Sequence, residues 1–225
     1  MRKVYYTRMR KFALTVPCIS LALAVAAFPQ QPSQLKSAAL ESHEGMTISA
    51  TPWIDGALYK EKFPNPKKSP YTAGVLAVQV VFRNDSDQSV KVNLDRVRLT
   101  FTLDEDNRQE IQPLTPEQVA DAITRPGAKD PTARRRLPIP LPSSGVPKEK
   151  KDKNWLELQK EAQEAGIPSN VVAAHSSVAG LLYFDLQGQF DLLSSSHLYV
   201  PEIAIMGKSE SLTYFEIDLS RSGNK

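Results

Sequence analysis

The sequence predicts an all-β protein: an antiparallel β-sandwich carrying a helical and Pro-rich insertion. Three observations predict it. Apolar side chains recur at every second position through Val75–Arg83, Val90–Leu94 and Val97–Leu103, the period of a strand with one buried face. Turn-forming residues separate these runs, foremost Asn84-Asp85-Ser86-Asp87, whose side chains bond nearby backbone groups and tolerate left-handed dihedrals. The strand pattern then stops near Asp104 and resumes near Val171, with two helix signatures and a run of prolines between.

The chain of 225 residues opens on a leader. Met1–Lys11 carries five basic residues (Arg2, Lys3, Arg8, Arg10, Lys11) and no acidic one; an apolar run follows over Phe12–Phe28, and Ala24-Val25-Ala26 supplies a small-x-small pattern. That order is the one a secretory signal peptide shows, and residues 1–26 are read as such. The apolar run is 17 residues long with Thr15, Pro17 and Ser20 inside it, short of the roughly 20 a spanning helix needs. An uncleaved N-terminal anchor is the alternative, and membrane contact is expected only in that case. Cys18 follows Thr15-Val16-Pro17 in mid-run, the wrong context for lipidation.

Cleavage changes the charge. Removing five basic residues from 28 leaves 23 against 25 acidic ones, a net charge of −2. Whole-protein attraction to nucleic acid or to an anionic membrane then loses its basis. The remaining chain has no cysteine, so neither a disulfide framework nor a thiolate nucleophile is available to it. Its localisation is expected to be secreted or periplasmic, within the cell envelope.

Residues 27–45 read as a flexible lead-in, because Pro, Gln, Ser and Ala dominate the stretch up to Ser42 and bury too little surface to offset ordering entropy. The sandwich domain is expected over residues 46–220. In Met46–Ile54, Met46, Ile48, Ala50 and Ile54 share a face, and Pro52 suggests an edge strand or bulge. Leu76, Val78, Val80 and Phe82 point one way, with Gln79 and Arg83 on the other side. Val90, Val92 and Leu94 alternate with Lys91, Asn93 and Asp95; Val97, Leu99, Phe101 and Leu103 alternate with Arg98, Thr100 and Thr102. Such regular polar positions predict an antiparallel sheet with one exposed face.

The insertion is placed at about 105–170. Thr115-Pro116-Glu117-Gln118 combines an N-cap hydroxyl, a Pro at the first helical position and a Gln three residues after the cap. Val119, Ala122 and Ile123 give that helix an apolar side. A second helix is expected from about Asp152 to Ala165, with Trp155, Leu158, Ala162 and Ala165 on one face and Gly166 and Pro168 ending it. Between them, Arg125–Lys153 contains six prolines, nine basic and three acidic residues, a local charge of +6. Leu137–Pro142, with Pro at alternate positions, favours an extended polyproline conformation.

Strands return in Val171–Ala174 and Val178–Asp185, where Val178, Gly180, Leu182 and Phe184 share a face. Phe190–Met206 is mixed, with one or two strands or a short helix. Leu212–Leu219 closes the domain with Phe215, Ile217 and Leu219 on one side and Glu216 and Asp218 on the other; residues 221–225 are a polar tail. About seven short strands between turn signals suit two facing sheets.

Val75–Leu103 taken with Val171–Asp185 resembles a widespread group of bacterial immunoglobulin-like domains of secreted proteins and lipoproteins. The features carrying the resemblance are the strand that ends in Asn-Asp-Ser-Asp at Val78–Asp87 and the stretch Ser176-Ser177-Val178-Ala179-Gly180-Leu181-Leu182-Tyr183-Phe184. The stretch is similar to that group's chain reversal followed by a Gly-x-x-x-Phe strand. Ser176-Ser177 stands where a Pro-Gly turn is common, and the Pro-rich insertion is a departure. The resemblance implies an immunoglobulin-like sandwich and an envelope location, and no catalytic residues. A similar turn after a hydrophobic strand occurs in stress-associated sandwich domains of the late-embryogenesis type.

Candidate chemistry is sparse. The histidines are His43, His175 and His197, without the close spacing of zinc ligands. Asp104-Glu105-Asp106-Asn107 lacks the spaced Asp-x-Asp-x-Asp-Gly arrangement of a calcium loop and reads as a solvated turn. His175-Ser176-Ser177 and Ser194-Ser195-Ser196-His197 place bases beside hydroxyls, but nucleophilic catalysis needs those groups facing each other across a fold. Glu202, Glu216 and Asp218 are read as a charged solvent face rather than a glycosidase pair. Asn84-Asp85-Ser86 matches a glycosylation acceptor, and a turn explains it equally well.

The residues singled out for contact are Arg134, Arg135, Arg136, Lys148, Lys150 and Lys151, a basic pre-extended stretch suited to an acidic envelope protein or an anionic polymer. Nucleic acid is not expected as a partner, since Leu137–Pro142 interleaves no aromatics. No cofactor or metal is expected. The reading is a non-enzymatic binding or accessory module. A hydrolase using Ser177 or Ser195 with a histidine is the competing class, and a purely structural envelope component, favoured by an exposed hydrophobic patch or an unpaired edge strand, is the third.

Overall fold

The computed structural model describes residues 38–104, 107–125 and 153–220. All of them belong to one unit, Ser33–Lys225. The leader, the lead-in up to residue 37, the six basic residues proposed for contact and the polar tail lie outside the described residues.

Among the described residues, twelve strands form three four-stranded sheets. The first has the order β1-β2-β3-β8, from Ala39–His43, Met46–Pro52, Val75–Asn84 and Ser176–Asp185. The second is β11-β10-β4-β7, from Ser211–Leu212, Ile203–Ile205, Val90–Val92 and Val171–Val172. The third is β12-β9-β5-β6, from Phe215–Asp218, Ser196–Val200, Arg98–Asp104 and Asn107–Ile111. Every ladder within them is antiparallel. The all-β antiparallel expectation therefore holds, and the period-2 runs are the reason. The longest register, β3 with β8, extends from Val75↔Asp185 to Asn84↔Ser176.

The alternation sorts side chains into one shared core. Met46, Ile48, Leu76, Val78, Val80, Phe82, Leu182 and Phe184 enter it from the first sheet. Val90, Val92, Val172 and Ile203 enter from the second, and Leu99, Leu198, Val200, Phe215 and Ile217 from the third. Full burial of each such side chain contributes about 1.5–3 kcal/mol, so this cluster dominates the stability of the fold.

The opposite face of β3 and β8 differs from the sequence reading. Val75, Ala77, Leu181 and Tyr183 point away from the shared core, yet all are buried. Three helices cover them: α1 at Gly56–Tyr59, α2 at Pro116–Thr124 and α3 at Lys153–Ala165. Trp53, Tyr59 and Phe63 pack there with Val119 of α2 and Ala162 and Ala165 of α3. One end of the first sheet is thus covered on both faces. The near-continuous apolar runs Val75–Val78 and Leu181–Phe184 mark it in the sequence.

Both helix signatures appear as expected. Thr115 Oγ1 accepts from the Gln118 N–H at 3.4 Å and Gln118 Oε1 accepts from the Thr115 N–H at 2.9 Å, with Pro116 in the first turn. This reciprocal cap satisfies two otherwise orphaned donors. In α3, Trp155, Leu158, Ala162 and Ala165 are the buried positions. Trp155 Nε1 donates to Asp121 Oδ1 at 2.7 Å and Gln159 Nε2 donates to Glu117 Oε1 at 2.6 Å, tying α3 to α2.

Several boundaries shift. The expected lead-in over 27–45 ends earlier, because Ala39–His43 pairs with β2 from Ala39↔Ala50 to His43↔Met46. A ladder needs backbone groups rather than large side chains, so composition concealed it. Glu44 and Gly45 turn the hairpin with φ of 52° and 75°, the left-handed pair that a two-residue hairpin requires. The insertion begins later than 105: β6 extends the third sheet to Ile111. As an edge strand with Arg108, Gln109 and Glu110 exposed, it shows no apolar alternation. Pro52 lies in an interior strand, two residues beyond the Ala39↔Ala50 pair at which the β1 ladder ends among the described residues. Ile54 is 40% exposed, because β2 ends at Pro52 and the chain turns into the Asp55 cap of α1. The mixed region resolves into a 3-10 turn at Phe190–Ser195 followed by β9 and β10.

Tyr59 pins α1 to the first sheet. Its hydroxyl donates to the Trp53 carbonyl at 3.0 Å and accepts from the Ala77 N–H at 2.8 Å. Burial pushes its phenol far above the ordinary tyrosine range, against the opposing effect of the Ala77 hydrogen bond. Tyr59→Phe orphans a buried N–H while preserving the ring. It is expected to cost about 1–3 kcal/mol with the fold retained, read by chemical denaturation.

Candidate functional site

The residues with chemical potential converge at the edge where β1, β12 and the loop before β12 meet. His43, the last residue of β1, stacks on Phe215 with ring centroids 3.7 Å apart and planes 13° from parallel. Its Nδ1 lies 3.5 Å from Glu44 Oε2, and its Nε2 lies 3.9 Å from Glu41 Oε1. Glu41 and His43 share a face because they are two residues apart on a strand. The left-handed turn conformation of Glu44 sends its carboxylate to Thr213, accepting from the N–H at 2.7 Å and from Oγ1 at 3.2 Å. These bonds, led by the Thr213 N–H, hold the Glu44 carboxyl below its ordinary pKa. Glu41 Oε2 accepts the N–H of Glu216 on the outer edge of β12.

These groups line an open depression of about 350 Å³ with Tyr214 as its aromatic wall. Tyr214 is half exposed and packs on Tyr199 at 5.5 Å. The surface continues across the outer face of the third sheet. There Arg108 Nη2 donates to Glu216 Oε1 at 2.8 Å and to Thr100 Oγ1 at 3.2 Å. Thr100, assigned by pattern to the solvent side, is buried at 1% exposure beneath that guanidinium. Chemically, an imidazole between two carboxylates resembles a base with its orienting acid. Both carboxylates, however, are engaged by backbone N–H groups, and the hydroxyl of Thr213 is bonded to Glu44. The cluster therefore fastens the edge of the first sheet to the third.

A second cleft, of about 250 Å³, lies where the C-terminal end of α3 passes over β8. Leu94, Leu114, Ile167 and Leu181 supply its apolar lining, with Asp95 and Gln163 among its polar groups.

The remaining candidates lie apart. His175 Nε2 is 2.8 Å from Asp87 Oδ1 in an exposed pair. Ser176 Oγ donates to the Ala173 carbonyl at 2.8 Å. The hydroxyls of Ser194, Ser195 and Ser196 donate to the carbonyls of Asp191, Leu192 and Leu193 within the 3-10 turn. His197 stands on β9, paired across the ladders with Thr100 and Asp218. Glu202 accepts from Arg96 at 2.8 Å, and Asp218 accepts from the Ser220 N–H and hydroxyl. Asn84 is buried and both ends of its amide are engaged, so the turn reading of Asn84-Asp85-Ser86 accounts for it. Residues 105 and 106 lie outside the described residues. Among the described residues, no group of three or more His, Cys, Asp or Glu is placed to hold a metal ion, and no helix is long and apolar enough to cross a membrane.

Glu41, Thr213 and Tyr214 were not singled out from the sequence. The available signal was the spacing of Glu41 and His43, which only gains meaning once Ala39–His43 is a strand.

No family model and no curated protein matches this chain. Among solved structures, a functionally unknown protein from Listeria monocytogenes EGD-e aligns over 72% of this chain and 70% of its own, at 14% identity and a TM-score of 0.31. A likeness that slight carries no inference.

Proposed function

We propose that the protein is an exported, non-enzymatic binding module of the cell envelope, built on an immunoglobulin-like β-sandwich. Its contact element is the basic segment holding Arg134, Arg135, Arg136, Lys148, Lys150 and Lys151, and its partner is an acidic envelope protein or an anionic polymer. The observation that carries this reading is the clamp between α2 and α3. With Trp155 bonded to Asp121 and Gln159 to Glu117, the chain departs from and returns to one helical platform seated on the first sheet. The elements on either side of the basic segment, α2 and α3, thus stand together on a packed scaffold, and stable scaffolds commonly carry binding segments between such elements. The +6 charge of Arg125–Lys153 within an otherwise acidic mature chain supports an anionic partner. The leader-like residues 1–26 support export, and the core shared by facing sheets supports the sandwich.

The test is binding to immobilised polyphosphate, with neutral dextran as the control. Changing the six basic residues together to Ser is expected to weaken polyphosphate binding by about tenfold or more and to flatten its salt dependence. Deleting Gly127–Lys151 should produce the same loss while unfolding stays cooperative. Unchanged affinity in both variants would refute the assignment of the contact element.

A further inference from the structure

The three sheets present six outer edges, and among the described residues five of them are two residues long or meet another element. The edge of β12 is capped where Glu41 accepts the Glu216 N–H, and this brings β1 beside it. The edge of β8 meets Gly166 through a parallel bridge to Leu181. β7 and β11 are two residues long. β6 has five residues and pairs with β5 on one side. Among the described residues it contributes, like β1, none of the backbone hydrogen bonds found outside the ladders, and unlike β1 it is not drawn beside β12 by a bond such as that of Glu41 to the Glu216 N–H. Arg108, Gln109 and Glu110 are all exposed along it.

We propose that β6 pairs antiparallel with β6 of a second copy, about a two-fold axis at Gln109, joining two third sheets into one continuous sheet. Charge selects this partner and this register. An axis at Gln109 sets Arg108 opposite Glu110 of the second copy and Glu110 opposite its Arg108, and the symmetry makes both contacts at once. Moving the axis to position 108 or 110 instead sets like charge against like. Opposite charges facing across a ladder stabilise it and like charges oppose it. The charged edge therefore rejects indiscriminate strand addition while admitting its own two-fold copy. Arg108 is already oriented by Glu216 at 2.8 Å and Thr100 at 3.2 Å through Nη2. Its Nε and Nη1 groups remain to meet a carboxylate from the facing strand, and a side chain so positioned loses less freedom on pairing.

Sedimentation equilibrium of the purified protein over a concentration series tests this. The wild-type chain is expected to show a monomer–dimer equilibrium that weakens with added salt. Glu110→Lys places two like-charged pairs across the interface and should weaken the dimer by about tenfold. Combining it with Arg108→Glu reverses both signs and should restore association, with circular dichroism confirming that each variant is folded. A wild-type monomer at every concentration overturns the proposal, including the case where β6 instead accepts an added extended peptide. A dimer equally strong in Glu110→Lys overturns it as well.

Discussion

Gly180→Ala should destabilise the protein by about 3 kcal/mol and release the end of α3 from the first sheet. A Cβ at this position would stand 2.4 Å from the Gly166 carbonyl oxygen and 2.5 Å from both the Gly166 carbonyl carbon and the Ile167 nitrogen. All three are backbone atoms, so no side chain can swing aside. The crowding has a topological origin. Ala165 belongs to the helical layer while Ile167 packs against the core between the sheets, so the chain crosses the edge of β8 between them. Gly180 is where it passes.

Two effects oppose each other at this site. Gly in a strand interior costs about 0.5–1 kcal/mol relative to Ala through backbone entropy, which favours the substitution. Overpacking costs about 1–3 kcal/mol, and displacing the crossing also breaks the Gly166–Leu181 bridge and lifts Ala162 and Ala165 from their contacts. The unfavourable side wins. Denaturant unfolding reads the loss, and amide exchange should show α3 opening well before β3. The exposed neighbour offers a control: Ala179→Ser should change stability by less than about 0.5 kcal/mol. A stable Gly180→Ala protein with α3 fully protected would show that the crossing can move aside.

The reach of sequence reading is visible in the same residues. By period Gly180 falls with Leu182 and Phe184, but nothing in that period reveals another segment of the same chain passing over it. Val75–Phe82 announced its strand because its alternate positions face a core. β1 and β6 did not announce theirs, since an edge strand gains its order from a backbone ladder and leaves its side chains free to be polar. The cap of α2 was legible because Thr115, Pro116 and Gln118 are neighbours in the chain and their geometry is local. The cluster of Glu41, His43, Glu44 and Thr213 was not, because Glu44 and Thr213 stand 169 positions apart. Local chemistry is written in adjacent letters; contacts made by topology are not.

Asn84→Asp should cost about 3–5 kcal/mol at neutral pH, although it changes one atom type and almost no volume. Asn84 is 1% exposed at the end of β3. Its Nδ2 donates to the carbonyls of Gln88 at 2.7 Å, Ala173 at 3.1 Å and Val172 at 3.3 Å, tying the first sheet to the second beside β7. Its Oδ1 accepts from the Ser86 N–H at 3.1 Å and hydroxyl at 2.7 Å, which shapes the turn. A carboxylate keeps the acceptor half and inverts the donor half: an anionic oxygen then faces three carbonyl oxygens. Removing the donor from the buried Val172 carbonyl costs about 1–3 kcal/mol, and burying an unpaired charge adds to it. Burial without a donor raises the introduced carboxyl's pKa above its unfolded value, so the folded state holds the proton more tightly. The penalty is therefore full at neutral pH and shrinks as pH falls through the raised value, where a protonated carboxyl again donates one bond. Asn84→Ala, which carries no charge, should lose a smaller amount with no such pH dependence. Measuring both variants at pH 7 and near pH 5 separates the charge effect from the lost bonds. Equal losses at both pH values would mean that water reaches the Asn84 amide and that the two sheets are not fastened there.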